Sequence, residues 1–199
     1  MAGGCRVERM QHEVRVEPSE QISSLELLLK KAGETTRAPV ELWNPPHCGD
    51  IGLAIRADGT WLYRGSPIHR LPLVKLFARV LRRDADGRYY LVTPAEKVDV
   101  AVADAPFVAV EMEVRRKGIA AQLIFRTNLD DPVAAGPETP LRFDVDGANG
   151  GLKPYILVRG RLEALVTRAL TMDLVALAEP DAHGRLWIES GGTRFALPD

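Results

Sequence analysis

The positions of apolar residues along the chain predict three helices. Ser19 follows Pro18 and can cap a short N-terminal helix whose apolar side chains recur every three or four residues. Pro72 stands at the first turn of a second helix, where its missing N–H costs nothing. An apolar stripe at helical spacing then follows: Leu73, Leu76, Phe77, Val80 and Leu81. A third, longer helix is predicted over residues 162–178.

Alternating apolar and polar residues predict strands on either side of the second and third helices. Asp58-Gly59 makes a tight turn between two alternating segments, which is typical of a hairpin. Lys117-Gly118 joins two long predicted strands in the same way. Further strands are predicted at residues 89–92, 98–102, 141–145, 155–158, 186–189 and 193–197.

The order of these elements repeats along the chain. Val158-Arg159-Gly160 echoes Tyr63-Arg64-Gly65, and the turn that begins at Asp181 echoes the Asp-x-x-Gly-Arg turn that begins at Asp84. One hairpin with one helix cannot close a core by itself, so the repeat predicts two units that stack on each other. The predicted fold class is therefore α+β: two tandem modules of antiparallel β-hairpins with one packed helix each, preceded by the short N-terminal helix. The predicted parts are a tail and helix at 1–38, a first module at 39–105 and a second at 106–199.

Composition narrows the class of protein without naming a function. Of 199 residues, 46% are apolar and 27% are charged, and the formal net charge is −1. So high an apolar content with so low a net charge excludes an intrinsically disordered chain. A neutral chain has no overall field that would draw it to nucleic acid or to an anionic membrane. No apolar run is long enough to span a bilayer, and no signal peptide is recognisable, so we expect a cytoplasmic protein without nucleic-acid or membrane partners.

Motifs for catalysis or for a cofactor are missing from the sequence. His47-Cys48-Gly49-Asp50 contains three types of metal ligand, but adjacent side chains of an extended segment point to opposite faces. Neither a Gly-x-Ser-x-Gly elbow nor a phosphate-binding loop occurs. We therefore predict no metal, no cofactor and no catalytic residue.

One carboxylate lies in an apolar setting. Asp173 falls within the apolar stripe of the predicted third helix, where a charge must be paired or neutralised. Arg159 or Arg168 could pair with it, so a structural role competes with a role in ligand binding.

Many short motifs, in order along residues 39–180, resemble one family of bacterial proteins. They include Trp43-Asn44-Pro45-Pro46, Asp58-Gly59-Thr60-Trp61, Leu91-Val92-Thr93-Pro94, Glu96-Lys97, Phe125-Arg126-Thr127-Asn128, Gly151-Leu152-Lys153-Pro154-Tyr155 and Val158-Arg159-Gly160. The sequence is similar in these motifs to the uncharacterised domain of unknown function 1285. The resemblance implies two small repeated α/β modules, no assigned reaction, and ligand binding with a signalling or sensing role.

These observations lead to a small-molecule binding protein with an anionic ligand in a cleft between the two modules. Arginine guanidinium groups and threonine hydroxyls suit a carboxylate or phosphate, and an aromatic ring can stack on a planar group. Asp173 would orient an arginine. The predicted ligand-binding residues are Trp61, Arg70, Thr93, Lys97, Arg126, Thr127, Tyr155, Arg159 and Asp173.

Alternative interpretations remain open at this stage. The same residues could simply hold the two modules together. The chain could be an enzyme of hydrolase type that uses Asp173 or Cys48, or a scaffold that binds proteins along its sheet edges.

Overall fold

The chain forms two compact units in a computed structural model, which describes residues 38–117, 120–148 and 150–198. The N-terminal unit comprises the described residues up to Ile55 together with Thr60–Val102. The C-terminal unit comprises Arg56–Gly59 and the described residues from Ala103 onward. The predicted N-terminal helix falls outside the described residues.

The N-terminal unit is built on a six-stranded sheet in the order β3-β2-β1-β6-β5-β4. Neighbouring strands are antiparallel except β1 and β6, which run parallel. The strands are β1 (His47–Ile55), β2 (Trp61–Tyr63), β3 (Ser66–Pro67), β4 (Leu81–Arg83), β5 (Tyr89–Val92) and β6 (Lys97–Val102).

Helix α1 (Leu71–Arg79) connects β3 to β4. Pro72 lies in its first turn, and Leu73 and Phe77 of the predicted stripe are buried. Val74 and Ala78, which the predicted stripe omits, are buried as well, whereas Leu76 is only partly buried. The ring of Phe77 lies 6.0 Å from that of Trp61 on β2, so the helix packs on the sheet through aromatic contact. The spacing predicts that the stripe continues through Val80 and Leu81, but Val80 ends the helix and Leu81 begins β4.

The C-terminal unit has a second six-stranded sheet and a separate three-stranded sheet in the order β13-β14-β15. The six-stranded sheet has the order β10-β11-β12-β7-β8-β9, and only β7 and β12 are parallel neighbours. The elements of the C-terminal unit are β7 (Phe107–Lys117), β8 (Ala120–Thr127), β9 (Pro132–Ala134), β10 (Leu141–Val145), β11 (Leu152–Arg159), β12 (Leu162–Val166), α2 (Arg168–Val175), β13 (Glu179–Pro180), β14 (Leu186–Ser190) and β15 (Thr193–Ala196).

The two six-stranded sheets have the same topology. Each sheet consists of two antiparallel meanders of three consecutive strands. The first strand of the first meander pairs in parallel with the last strand of the second, β1 with β6 and β7 with β12, and this pairing joins the two meanders. Adding six to every strand number of the first sheet gives β9-β8-β7-β12-β11-β10, which is the strand order of the second sheet read from its other edge. The structural repeat is therefore β1–β6 followed by β7–β12, which differs from the predicted repeat of hairpin, helix and hairpin.

The two turns that suggested a repeat do share their backbone geometry. Gly87 donates to the carbonyl oxygen of Asp84 at 3.1 Å, and Gly184 donates to that of Asp181 at 3.0 Å. The two glycines have φ near +81° and +82°, which favours glycine at both places. However, the first turn joins β4 to β5 of a six-stranded sheet, whereas the second joins β13 to β14 of the separate sheet.

The predicted α+β class, with a helix packed on each module, is wrong. The protein is mostly β, and the described residues contain two short α-helices of which only α1 lies between the two meanders of its sheet. In the second sheet, the corresponding connection between β9 and β10 contains no helix. Sheet pairing, rather than a helix on a hairpin, therefore builds both units.

The predicted helix over 162–178 is a strand followed by a short helix. Leu162, Ala164 and Val166 are buried and their neighbours are less so, which is the period of two that a strand requires. Thr167 has ψ near 153°, and α2 begins at Arg168. Asp173 is exposed on α2, so it does not need the charged partner that its predicted position in an apolar stripe demanded.

Candidate functional site

A tyrosine surrounded by charged side chains lies on the first sheet. Tyr90 on β5 is paired with Arg82 on β4 and with Asp99 on β6. It is only 3% exposed, and its hydroxyl donates to Asp86 Oδ2 at 2.7 Å. The Lys97 ammonium lies 4.3 Å from the centre of its ring, which is a favourable cation–π distance. This group is called here the Tyr90 cluster: His47, Arg82, Asp84, Asp86, Arg88, Tyr90, Lys97 and Asp99.

Two cations of the Tyr90 cluster converge on one carboxylate. Arg82 Nε donates to Asp84 Oδ1 at 2.5 Å, and Lys97 Nζ donates to Asp84 Oδ2 at 3.1 Å. Burial raises the pKa of Asp84, but the hydrogen bonds from Arg82 and Lys97 outweigh this effect and hold the pKa below its usual range. Arg82 also donates from Nη1 to the carbonyl oxygens of Val40 and Trp43, at 2.6 and 2.7 Å. Arg82, Lys97 and Asp84 are therefore linked by hydrogen bonds, and these contacts stabilise the sheet.

An open pocket of about 410 Å³ adjoins the Tyr90 cluster. Arg88 lies in this pocket with 61% of its side chain exposed, and its Nη2 donates to Asp99 Oδ1 at 2.8 Å. The second oxygen of Asp99, Oδ2, lies 3.0 Å from His47 Nε2. The lining of this Arg88 pocket is Asp50, Gly87, Arg88, Tyr89, Asp99, Val100, Ala101 and Val102.

A related group lies on the second sheet. Tyr155 on β11 is paired with Arg142 on β10 and with Leu165 on β12. It is 6% exposed, and its hydroxyl donates to Asp104 Oδ1 at 2.7 Å. Burial raises the pKa of Tyr155, and the hydrogen bond to Asp104 raises it further. This group is called the Tyr155 cluster: Asp104, Arg142, Asp144, Lys153, Tyr155 and Glu163.

Charged side chains also surround the ring of Tyr155. The Arg142 guanidinium lies 4.2 Å from the ring centre, and its Nε and Nη2 donate to Glu163 at 2.9 and 3.0 Å. Lys153 Nζ donates to Asp104, and this hydrogen bond is the main cause of a raised pKa of Lys153. Cations, carboxylates and the ring form an interlocked group, as around Tyr90.

The two clusters occupy equivalent strands of the two sheets. In each, an Arg-x-Asp sequence begins on the outer strand, and a basic residue, Arg88 or Lys153, stands two positions before the tyrosine. Arg82 pairs with Tyr90 as Arg142 pairs with Tyr155. The sequences that lead into them are Arg82-Arg83-Asp84-Ala85-Asp86-Gly87 and Arg142-Phe143-Asp144-Val145-Asp146-Gly147. This shared Arg-x-Asp-x-Asp-Gly pattern was the sequence signal for both clusters, and the predicted repeat overlooked it.

The clusters differ at the residues that line the Arg88 pocket. Asp99, the strand partner of Tyr90, corresponds to Leu165 in the second sheet. Asp50 is paired with Asp99 as Val108 is paired with Leu165. The ionisable groups of the pocket are therefore not a general requirement of this sheet topology.

Four of the predicted ligand-binding residues are buried inside the protein: Trp61, Thr93, Thr127 and Tyr155. Trp61 is 1% exposed and packs on Phe77, so its face is not available for stacking. Thr93 Oγ1 accepts hydrogen bonds from the backbone N–H groups of Ala95 and Glu96, at 3.2 and 3.1 Å. Thr127 Oγ1 similarly accepts from Leu129 and Asp131, at 3.3 and 3.1 Å, so both threonines stabilise turns.

The other predicted residues lie nearer the surface. Arg126 donates to Glu111 and, at 2.7 Å, to Asp130, while Arg159 lies 4.0 Å from Asp131 and 5.2 Å from the centre of the Phe107 ring. Arg70 precedes α1 and is exposed, as is Asp173 on α2.

The predicted ligand-binding residues therefore do not form one site in the structure. Lys97 belongs to the Tyr90 cluster and Tyr155 to the Tyr155 cluster. Arg126, Thr127 and Arg159 gather at the turn that follows β8. The prediction missed Arg88 and Asp99. The ligand-binding roles stay predictions, as does the cleft between the modules.

Other kinds of site have no candidate in the described residues. Within 38–117, 120–148 and 150–198, no group of three or more His, Cys, Asp or Glu side chains could hold a metal ion. In the same part of the chain, no helix is both long and apolar enough to cross a membrane.

Comparison with known proteins places the chain in a family. Residues 38–105 match the family model described as domain of unknown function (DUF1285), N-terminal domain, and residues 106–197 match the model of its C-terminal domain. A solved structure of a DUF1285 family protein from Silicibacter pomeroyi DSS-3 is 43% identical, with a TM-score of 0.78 over 85% of this chain and 91% of the other. A DUF1285 family protein from Shewanella baltica OS155 is 26% identical, with a TM-score of 0.49 over 63% of this chain and 91% of the other. No curated protein matches. As the resemblance in its sequence motifs indicated, the chain belongs to the DUF1285 family.

Proposed function

We propose that this protein binds a small molecule with an anionic group in the Arg88 pocket, and that it acts as a binding protein rather than a catalyst. The exposed guanidinium of Arg88 in a pocket of about 410 Å³ is the observation that carries the proposal. This volume is within the range of roughly 300–1,000 Å³ that small-molecule sites occupy. Arg88 donates one hydrogen bond to Asp99 and has further N–H donors, which suit a carboxylate or phosphate.

The surroundings of Arg88 restrict its orientation before a ligand arrives. Asp99 holds one side of the guanidinium at 2.8 Å, and the group lies 5.6 Å from the centre of the Tyr90 ring. A cation fixed in this way loses less conformational entropy on binding than a free surface arginine. Arg88 is therefore better suited to recognition than its exposure alone indicates.

The second sheet supplies an internal comparison that supports a functional role. Both clusters contain an arginine, an aspartate and a tyrosine that stabilise equivalent strands. The second sheet forms with Leu165 and Val108 where the first has Asp99 and Asp50. The shared sheet topology therefore forms without carboxylates at these positions in the second sheet, and binding gives a reason for them in the first.

The lining of the pocket favours binding over covalent chemistry. Its described residues include no serine, cysteine or histidine, and both oxygens of Asp99 are engaged by Arg88 and His47. Cys48 and Asp173, the residues considered for hydrolase chemistry, are not part of the lining. The signalling role implied by the sequence resemblance stays a prediction.

Calorimetric titration with succinate, inorganic phosphate and 4-aminobutanoate tests the proposal. We expect at least one of these probes to bind the parent protein and its affinity to fall about tenfold or more in Arg88→Ala, because a charge-assisted hydrogen bond is lost. The matched control is Arg115→Ala: Arg115 is 64% exposed and pairs with Glu113 at 2.9 Å, but lies outside the pocket. If no probe binds, or if the two variants bind alike, the proposal is wrong.

A further inference from the structure

Asp50 is the second ionisable group of the Arg88 pocket that faces solvent. It stands on β1 beside Asp99 and is exposed. Its Oδ1 accepts a hydrogen bond from the backbone N–H of Gly52 at 2.7 Å. Its other oxygen, Oδ2, has no hydrogen-bond partner in the parts of the chain that the structure describes, and so it can receive a donor from a ligand.

The charges of the lining do not balance for a purely anionic ligand. The described lining contains one guanidinium, Arg88, and two carboxylates, Asp50 and Asp99. His47 and Arg88 already occupy both oxygens of Asp99. A ligand with only an anionic group would be held beside the Asp50 carboxylate, and two like charges close together repel each other even where water reaches them.

A cationic group on the ligand removes this conflict. It would pair with Asp50 while the anionic group binds Arg88, so each charged group of the pocket would have a partner of opposite sign. The second sheet has Val108 in place of Asp50, so the carboxylate is not required by the strand pairing.

We infer that the occupant of the Arg88 pocket is a zwitterion, a small molecule whose carboxylate or phosphate binds Arg88 and whose ammonium group binds Asp50. This inference rests on the proposed function and adds the chemical class of the ligand. Binding involves no covalent step, and selectivity comes from the paired charges at the two residues.

The experiment compares three probes of nearly equal size by calorimetric titration: 4-aminobutanoate, which carries both charges, butanoate, which lacks the ammonium group, and butylamine, which lacks the carboxylate. We expect the parent protein to bind 4-aminobutanoate about tenfold more tightly than either single-charge probe, because each charged hydrogen bond adds to affinity. Glycine and 5-aminopentanoate, titrated alongside, identify the preferred spacing of the two charges.

Asp50→Asn is the decisive variant. Its side-chain oxygen can still accept from Gly52, so the backbone turn is retained while the negative charge is lost. We expect the preference for 4-aminobutanoate over butanoate to disappear in this variant. Asp146→Asn is the matched control, because Asp146 Oδ1 accepts from the backbone N–H of Ala148 at 2.9 Å in a similar turn away from the pocket; it should retain the parent preference.

The outcomes separate this inference from the proposed function. If butanoate binds the parent as tightly as 4-aminobutanoate and Arg88→Ala abolishes both, the anion site stands and the zwitterion inference is wrong. The zwitterion inference is equally wrong if Asp50→Asn keeps the parent preference. If none of these five probes binds the parent, the zwitterion inference is wrong, and the proposed function fails as well when succinate and inorganic phosphate also do not bind.

Discussion

Two arginines at equivalent places in the two sheets have different surroundings. Arg82 is buried and donates to the carbonyl oxygens of Val40 and Trp43 as well as to Asp84. Arg142 is partly exposed and binds the carboxylates of Glu163 and Asp144. A buried guanidinium is costly unless its N–H donors have acceptors, and the segment before β1 supplies two of these acceptors. Arg82 therefore holds that segment in place. Arg142 contributes less, because its ion pairs compete with water.

The carboxylate of Asp84 gives the first sheet a stability that depends on pH. Its pKa in the folded protein lies below the ordinary value of 3.8, because hydrogen bonds from Arg82 and Lys97 outweigh the effect of burial. Such a group stabilises the folded state fully above its unfolded-state pKa, and this stabilisation is lost as the pH falls through the lower folded-state pKa. We expect the free energy of unfolding to fall more steeply below about pH 4 in the parent than in Asp84→Asn, measured by urea unfolding over a series of pH values.

A direct titration checks the assignment. The carboxyl carbon of Asp84, followed by NMR, should titrate below 3.8 in the parent. A midpoint at or above that value, or parallel pH profiles for the parent and Asp84→Asn, would contradict the prediction.

At the scale of elements, turns with an aspartate and a glycine determine how the meanders reverse. Asp86 Oδ1 accepts from the backbone N–H of Arg88 at 2.9 Å after β4, and Asp146 Oδ1 accepts in the same way from Ala148 after β10. Such side-chain to backbone hydrogen bonds favour a turn over a continuing strand. The turn after β4 also positions Arg88, so a local backbone preference sets the place of a pocket residue.

The turn between β1 and β2 is sensitive to side-chain size. Gly59 has φ near +81°, and a Cβ there would lie 2.5 Å from Asn128 Nδ2, within the C-terminal unit. Asn128 cannot easily move, because its Oδ1 accepts from the backbone N–H of Val108 at 3.1 Å. We expect Gly59→Ala to lower the free energy of unfolding by about 2–4 kcal/mol, from backbone strain and steric overlap together.

The matched control for this prediction is Gly87→Ala. Gly87 also has φ near +81°, but among the described residues no atom beyond Gly87 and its two chain neighbours lies within 4 Å of an added Cβ. Only the strain of the left-handed backbone applies, so we expect a loss of about 1 kcal/mol. Equal losses in urea unfolding of the two variants would show that the contact with Asn128 has no energetic effect.

At the scale of the whole molecule, the repeated sheet topology distinguishes residues that support the fold of both units from residues that occur in only one of them. The arginine, aspartate and tyrosine of the clusters recur in both units, which is the expected behaviour of residues that stabilise a shared topology. Asp99 is particular to the N-terminal unit, where Leu165 is its counterpart. Replacing Asp99 with the residue found in the other unit therefore tests whether the difference is functional.

We expect Asp99→Leu to fold normally but bind poorly. The ion pairs of Asp99 involve exposed or partly exposed partners, so the free energy of unfolding should change by about 1 kcal/mol or less. The affinity for 4-aminobutanoate should fall about tenfold, because Arg88 loses the carboxylate that orients it. Asp173→Leu, which makes the same substitution at an exposed position outside the pocket, is the control and should bind like the parent.

A loss of stability without a loss of binding in Asp99→Leu would contradict this prediction. If Asp99→Leu lowers the free energy of unfolding by several kcal/mol and leaves binding unchanged, the ion pairs around Arg88 are structural. The pocket residues would then stabilise the N-terminal unit instead of binding a ligand.

Local features of the sequence determined several elements. The apolar stripe from Leu73 and the proline at position 72 determined α1, because helical burial recurs every three to four residues within one segment. The turns at Asp58-Gly59 and Asp84–Arg88 were equally local, since aspartate and glycine favour turn conformations wherever they stand. Ordered motifs along most of the chain identified the family.

Pairing between strands was decided only by the tertiary structure. Residues 162–178 contain apolar residues that fit either a helix or a strand, and pairing of β12 with β7 and β11 makes its first part a strand. Trp61 was expected to meet a ligand, but contact with Phe77 on another element buries it. The Arg88 pocket brings together Asp50, Arg88 and Asp99 from β1, the turn before β5, and β6. Register between distant strands depends on packing across the whole sheet, and no local pattern of residues specifies it.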